Sequence, residues 1–333
     1  MKKIKIAQIG INQYSHSLEI LTSLSKQTDL FEVVGYALPE SEAERIPQKY
    51  EKLHAYTQLT MEEILSDPTI EAVSVDTDEI YLSKYALMAA KAGKHIHMEK
   101  PGGADLAEFT ELIQTMRQTG KVLHIGYMYR YNPYIMDLLE RIKRGELGQI
   151  LCVEAQMSCF HRREIRQWLQ ELPGGMMFYL GCHLVDLILQ IQGQPKRIIP
   201  MNMSTHYNTD APDFGMVIME YENGISCAKA NAREFGGYAR RQLVVTGTEG
   251  TVEIKPLEMY VPGQGIYTEK TEYMEKDWNN LGQHSKTELF DRYDAMMAGF
   301  ASFVMGEKEN PYTLDYELEL YKTVLQCCGE GNK

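Results

Sequence analysis

A chain of 333 residues with 44% hydrophobic and 24% charged residues has ordinary globular composition, is long enough for two domains, and contains nothing that reads as disordered. Its net charge of -12 sets up a long-range field that repels nucleic acid and anionic membrane, so neither is expected as a partner. No apolar run approaches membrane-spanning length, Met1-Lys2-Lys3 leads into an alternating strand rather than a secretory core, and the six cysteines show no metal-ligand spacing. The expectations are a cytoplasmic protein with reduced thiols and no metal.

Lys3 to Ile9 alternates toward Gly10, and Ser17 to Ser25 carries leucines and Ile20 at helical spacing, so the chain opens as strand, tight turn and helix. A dinucleotide-binding turn asks for glycine at its first, third and sixth positions. In Gly10-Ile11-Asn12-Gln13-Tyr14-Ser15 only Gly10 meets that pattern, with Asn12 in the second place and Ser15 in the third; a plain strand–helix turn fits the motif as well. Phe31 to Ala37 is the second strand. Leu38 stands where an acid would meet an adenosine ribose, no arginine stands at that end, and Glu40 is either a ribose ligand or solvated charge at a helix start.

An amphipathic helix around Met61 to Leu65, a strand Ala72 to Val75 ending in Thr77-Asp78-Glu79, and a helix from Tyr81 to Ala92 follow. The stretch from Ala92 to Pro101 then reads as a helix end, a Gly93 cap, the short strand His95-Ile96-His97-Met98 and a charged pair, Glu99-Lys100, stopped by Pro101. In a doubly wound sheet the carboxyl ends of the strands line the ligand crevice, which puts Glu99 and Lys100 where chemistry happens; a surface Glu-Lys step is the plainer reading. Pro101 restricts Lys100 to extended geometry. With a last strand at Lys121 to Gly126, strands separated by helices imply a parallel sheet.

Beyond a helix at Tyr134 to Arg144 the pattern changes. Gly148 to Ala155, Met216 to Tyr221, Ile225 to Asn231, Arg241 to Gly247 and Gly250 to Ile254 alternate as strands, with hairpin turns at Asn223-Gly224 and Thr248-Glu249-Gly250. This is an antiparallel sheet with one face open to solvent or to a second copy. Between its parts lies Gly174 to Asp186, where Tyr179, His183 and Asp186 share one face of a helix. A core helix with an internally satisfied histidine gives the same pattern. His161, Arg163 and Trp168 precede it as a polar rim or as packing, and the tail is helical from Phe290 to Val304 and from Leu314 to Cys328.

The spaced set Gly10, the Thr77 strand end, Ala92-Gly93-Lys94-His95 with Glu99-Lys100-Pro101, and Tyr129-Arg130-Tyr131-Asn132-Pro133 resembles the glucose-fructose oxidoreductase and inositol dehydrogenase (Gfo/Idh/MocA) family over nearly the whole chain. The resemblance implies an α/β Rossmann-type dinucleotide-binding domain over residues 1–126. It implies an α+β domain with a largely antiparallel sheet over 127–333, for substrate binding and dimerisation. The implied activity is hydride transfer between NAD or NADP and a sugar, cyclitol or related polyol carbon, by a homodimer or homotetramer. Gly10, Asn12, Gln13, Thr77, Glu99 and Lys100 then meet the cofactor, and Arg130, Asn132, Trp168 and Asp186 meet the substrate.

Removing a hydride from carbon also frees a proton from oxygen, and a lysine of lowered pKa can take it, which is the role implied for Lys100. His183 holds the same hydroxyl or exchanges the proton with solvent. Tyr179 stands where the family commonly has an Asp; a phenol can relay a proton but cannot supply fixed negative charge. The departures at Asn12, Ser15 and Leu38 leave two other readings open, a sugar or metabolite binding or regulatory protein without turnover and an NAD-dependent glycoside-cleaving enzyme. Lys100 and His183 together favour the oxidoreductase, with NAD modestly ahead of NADP.

Overall fold

The apolar runs of the N-terminal third form strands because they are short, bounded by turn residues and buried on both faces. In the computed structural model, which describes residues 3–330, these are β1 (Ile4–Ile9), β2 (Phe31–Ala37), β3 (Ala72–Val75), β4 (His95–Met98) and β5 (Leu123–Ile125). All pair in parallel, in the order β2-β1-β3-β4-β5. Met1 and Lys2 of the N-terminal reading lie outside the described residues.

The crossovers carry α1 (Ser17–Lys26), α2 (Glu42–Arg45), α3 (Pro47–Tyr50), α4 (Met61–Ser66), α5 (Leu82–Lys91) and α6 (Leu106–Thr119). Two of these begin where their sequences supply caps: Thr60 and Glu63 make a capping box on α4, and Asp105 accepts from the Ala107 and Glu108 amides at α6. Strand order reverses between β1 and β3, so the turn after β1 and the Thr77 end of β3 meet at the switch point where this architecture binds ligands.

One polar row crosses this apolar sheet. Gln8, Ser74, His97 and His124 are in register across β1, β3, β4 and β5, all buried, and His97 Nδ1 lies 2.8 Å from His124 Nδ1. Burial pushes His97 down to about 3, so it is neutral at physiological pH and belongs to the core.

The second unit starts at Met128 with α7 (Pro133–Lys143), which is followed by β6 (Ile150–Gln156), α8 (Arg163–Trp168) and α9 (Cys182–Gln192). Nine further strands follow: β7 (Arg197–Met203), β8 (Phe214–Tyr221), β9 (Gly224–Asn231), β10 (Gln242–Gly247), β11 (Thr251–Ile254), β12 (Met259–Val261), β13 (Gly265–Tyr267), β14 (Glu269–Tyr273) and β15 (Gln283–Lys286). Eight strands form one sheet in the order β15-β14-β11-β10-β6-β9-β8-β7, antiparallel throughout except where β6 lies parallel to β9. Its buried face carries Val153, Ala155, Val217, Ala228, Leu243 and Val245 and packs on α9. On the other face Met201, Met216, Ile218 and Val244 remain exposed or half-buried.

The tail rejoins the first unit. α10 (Asp294–Val304) is tied to α1 by Ser23 Oγ donating to Asp294 Oδ1 at 2.7 Å, and Phe300 stacks on His124. In α11 (Leu314–Cys327), Tyr321 donates to the Gly103 carbonyl at 3.0 Å. One unit therefore comprises the chain up to Tyr127 with Tyr293–Tyr321, and the other Met128–Arg292 with the chain from Lys322 on. Among the described residues no helix is long and apolar enough to cross a membrane.

Candidate active site

In the first unit the site is built around a turn that only glycine can make. Gly10 has φ +86°, and a Cβ there would lie 2.4 Å from Thr77 Cγ2, so the end of β1 presses directly on the end of β3. Three of the amides that follow have side-chain acceptors. Ile11 N–H donates to Glu42 Oε2 at 2.9 Å, Gln13 N–H to Asp78 Oδ1 at 3.1 Å and Ser15 N–H to Asn12 Oδ1 at 2.9 Å. The Ser15 hydroxyl donates to Glu79 Oε1 at 2.6 Å, and Lys49 Nζ to the Ser15 carbonyl at 2.8 Å.

Around this turn several buried polar atoms have no hydrogen-bond partner: the donors Asn12 Nδ2 and Ser17 Oγ, and the carboxyl oxygens Glu42 Oε1, Asp76 Oδ1, Glu79 Oε2 and Glu99 Oε2. Orphans of both kinds are costly in a finished core. They fit a dinucleotide, whose phosphate oxygens accept and whose ribose hydroxyls and carboxamide donate.

At the end of β4, Glu99 and Lys100 are both buried. Burial pushes Glu99 up to about 7, with the Lys100 ammonium pulling the other way and Glu79 adding to the rise. Glu79 is likewise held above the usual carboxylate range by burial, again opposed by Lys100. Lys100 thus sits beside two buried carboxyl groups that burial raises and its ammonium opposes.

Two expectations at the end of β2 are corrected. An arginine does stand there: Arg45, on α2, donates to the Glu40 carbonyl at 2.9 Å and pairs with Asp78 at 2.8 Å. Glu40 is engaged rather than merely solvated, accepting from Lys84 and from the Tyr85 hydroxyl. Of the acids that follow β2, Glu42 is the one that accepts from an amide of the turn, and strand-end spacing does not single it out.

Glu42 gives a pH prediction. Its side chain is fully buried and burial pushes it up to about 9; Asp78 and Glu40 raise it too, while the Ile11 amide and Arg45 act the other way. The unfolded chain releases this proton near 4.5 while the folded chain keeps it, so stability is fully present below 4.5 and is lost as pH rises toward 9. Glu42→Gln keeps an acceptor and cannot ionise. Melting curves at mildly acidic and mildly alkaline pH are expected to show the variant gaining on the order of 2 kcal/mol at the alkaline end and little at the acidic end. Equal pH slopes for both proteins would remove Glu42 as the cause.

In the second unit a π-helical turn, Met177–Gly181, runs into α9. Such turns widen a helix locally and recur at functional sites. Here it puts the Tyr179 ring edge-on to Trp168, with centroids 5.1 Å apart, and 6.0 Å from His161. His183 lies edge-on to Tyr129 at 5.5 Å. Burial and the charges of Arg241 and Arg166 push His161 down to about 4, so it is neutral, and its buried Nε2 has no partner.

The other residues named from sequence are built into the unit. Arg130 and Asp186 form a bidentate pair, Nε to Oδ2 at 3.0 Å and Nη2 to Oδ1 at 2.9 Å, with both side chains essentially inaccessible. Asn132 caps α7 by accepting from the Tyr134 and Ile135 amides and donates to Thr268 Oγ1 at 2.7 Å. Of the substrate set, only Trp168 stands in the aromatic group with Tyr179. Among the described residues no cluster of His, Cys, Asp or Glu could hold a metal ion.

A parallel sheet whose first turn is closed by Gly10, lined with buried donors and acceptors at the switch point, defines a Rossmann-type dinucleotide-binding protein. Residues 4–127 match the model of the oxidoreductase family with an NAD-binding Rossmann fold, and residues 135–253 match that of the GFO/IDH/MocA C-terminal domain. The chain belongs to the Gfo/Idh/MocA oxidoreductase family. It is 27% identical over 164 residues to the scyllo-inositol 2-dehydrogenase (NADP(+)) of Bacillus subtilis, a match covering 48% of this chain and 46% of that protein. It is 26% identical over 232 residues to the trans-1,2-dihydrobenzene-1,2-diol dehydrogenase of Mus musculus, 67% of each. An oxidoreductase structure from Thermotoga maritima shares the fold with a TM-score of 0.78 at 17% identity, over 98% of this chain and 96% of that one.

Proposed function

We propose that the protein is an NAD(P)-dependent oxidoreductase that moves a hydride between nicotinamide and a sugar, cyclitol or related polyol carbon. The observation that carries this reading is Lys100, a buried lysine at a strand end of an NAD-binding fold, beside Glu99 and Glu79. The inositol and dihydrodiol dehydrogenases among its relatives support a vicinal diol or polyol as substrate. When bound, the nicotinamide supplies the hydride acceptor or donor.

The chain's own residues do the rest. Gly10, Asn12, Gln13 and Thr77 hold the cofactor at the turn, and Glu99 fixes Lys100. Lys100 takes the proton from the reacting hydroxyl and returns it in the reverse direction. His183 and Tyr179 pass that proton toward solvent, Trp168 packs on the sugar ring, and Arg130, Asn132 and Asp186 act on substrate indirectly by holding α7 and α9. The first unit serves the cofactor and the second the substrate, while the open sheet face with Met201, Met216, Ile218 and Val244 pairs with a second copy. No disulfide joins the six cysteines, which suits a reducing cytoplasm.

The test is reduced-nicotinamide absorbance with NAD and NADP across a panel of cyclitols, aldoses and cyclic diols, alongside direct cofactor binding. No turnover and no binding with either dinucleotide would overturn the proposal. For the relay, Tyr179→Phe removes one hydroxyl and keeps the ring; turnover is expected to fall ~10-fold with an altered pH–rate profile. An unchanged profile with about 1 kcal/mol lost in stability would make Tyr179 a packing residue.

A further inference from the structure

The dinucleotide turn is already capped by the chain. In this architecture the first turn's amides and the helix dipole receive the cofactor's pyrophosphate. Here Ile11 N–H is taken by Glu42 from α2, and Gln13 N–H by Asp78 from the loop after β3, at 2.9 and 3.1 Å. Carboxyl oxygens from two separate elements thus stand where phosphate oxygens would be received. Asp78 also holds Arg45, the guanidinium at this end of the crevice, through Nη1 at 2.8 Å. Beside the capped amides, Asn12 Nδ2 and Ser17 Oγ are buried donors with no acceptor. Two compact carboxyl groups therefore satisfy part of a donor set that a larger anion would fill.

We infer that Glu42 and Asp78 compete with the cofactor, so that a dinucleotide binds by exchange. Its pyrophosphate takes the Ile11 and Gln13 amides as the two carboxyl groups withdraw, and Arg45 passes from Asp78 to a cofactor phosphate. This rests on the proposed NAD(P) binding and deepens it. It makes Glu42 and Asp78 determinants of affinity with the sign opposite to that of ordinary binding residues, because each adds negative charge or steric bulk at an anion site. Arg45 keeps the ordinary sign.

The experiment is a set of dissociation constants for NADH and NADPH, by nicotinamide fluorescence or calorimetry, on the wild type, Asp78→Ala, Glu42→Ala and Arg45→Met, with a melting curve for each. Asp78→Ala and Glu42→Ala are expected to bind about fivefold to tenfold more tightly, and Arg45→Met about fivefold more weakly. Asp78 is buried less completely than Glu42, 7% exposed against 0%, so its variant carries the test alone if Glu42→Ala proves unfolded. A wild type that binds dinucleotide while Asp78→Ala binds no tighter overturns the exchange and leaves the oxidoreductase reading standing. Absence of binding to the wild type and to every variant, all folded, overturns both.

Discussion

Lys100→Met is expected to fold, to bind dinucleotide within a few-fold of the wild type, and to lose ~10²-fold or more in turnover, the scale for removal of a general acid or base. Methionine keeps the apolar stem and approximate length of lysine and deletes the ammonium. The fold tolerates this because the ammonium is not the only route to neutrality at the end of β4. Burial already raises Glu99 and Glu79, and without Lys100 both rise further and hold their protons. The variant is therefore expected to lack whatever pH dependence the wild type shows near 7, the value about which Glu99 titrates with Lys100 in place. Steady-state rates across pH, with cofactor dissociation constants and melting temperatures, separate the cases. Turnover near the wild-type level removes Lys100 from the proton transfer; a lower rate with weakened cofactor and a collapsed melting temperature makes it structural.

The frame of the first unit was readable because its signals are local. Buried parallel strands are short apolar runs, and Gly10 marks the end of β1 because no other residue accepts its φ beside Thr77. The second sheet was readable where hairpins are tight, as between β8 and β9, and missed at β7, β14 and β15, whose residues alternate less clearly. What lay beyond reading was chemistry that depends on long-range partners. Glu42 sits 31 residues from the amide it caps and Asp78 65 residues from its own, so nothing near either residue marks it as part of the turn. His97, inside the stretch that draws attention to Lys100, proves to be a core residue because its neighbour on β5 is His124. Regular helical spacing placed Tyr179, His183 and Asp186 on one face; the π-helical turn and the Arg130 partner give them separate surroundings.

Asp186→Ala is expected to cost about 3–5 kcal/mol, because it leaves the Arg130 guanidinium buried without its countercharge. In a unit of this size that corresponds to a fall of roughly 10 °C in melting temperature. The decisive comparison is Arg130→Met with Asp186→Leu in one protein. If the pair serves the fold, the double variant replaces two buried charges by apolar side chains of similar volume and recovers to within about 1–2 kcal/mol of the wild type. A direct role in substrate binding predicts otherwise: the double variant would regain stability yet keep a KM raised by tenfold or more, since two groups that grip a polyol would be gone. The bidentate geometry, with Gln190 Nε2 also donating to Asp186 Oδ2 at 2.9 Å, commits this carboxylate to holding α9 against Arg130. Recovery of both stability and KM is therefore the expected result, and a double variant as unstable as Asp186→Ala would show that the pair does more than neutralise itself.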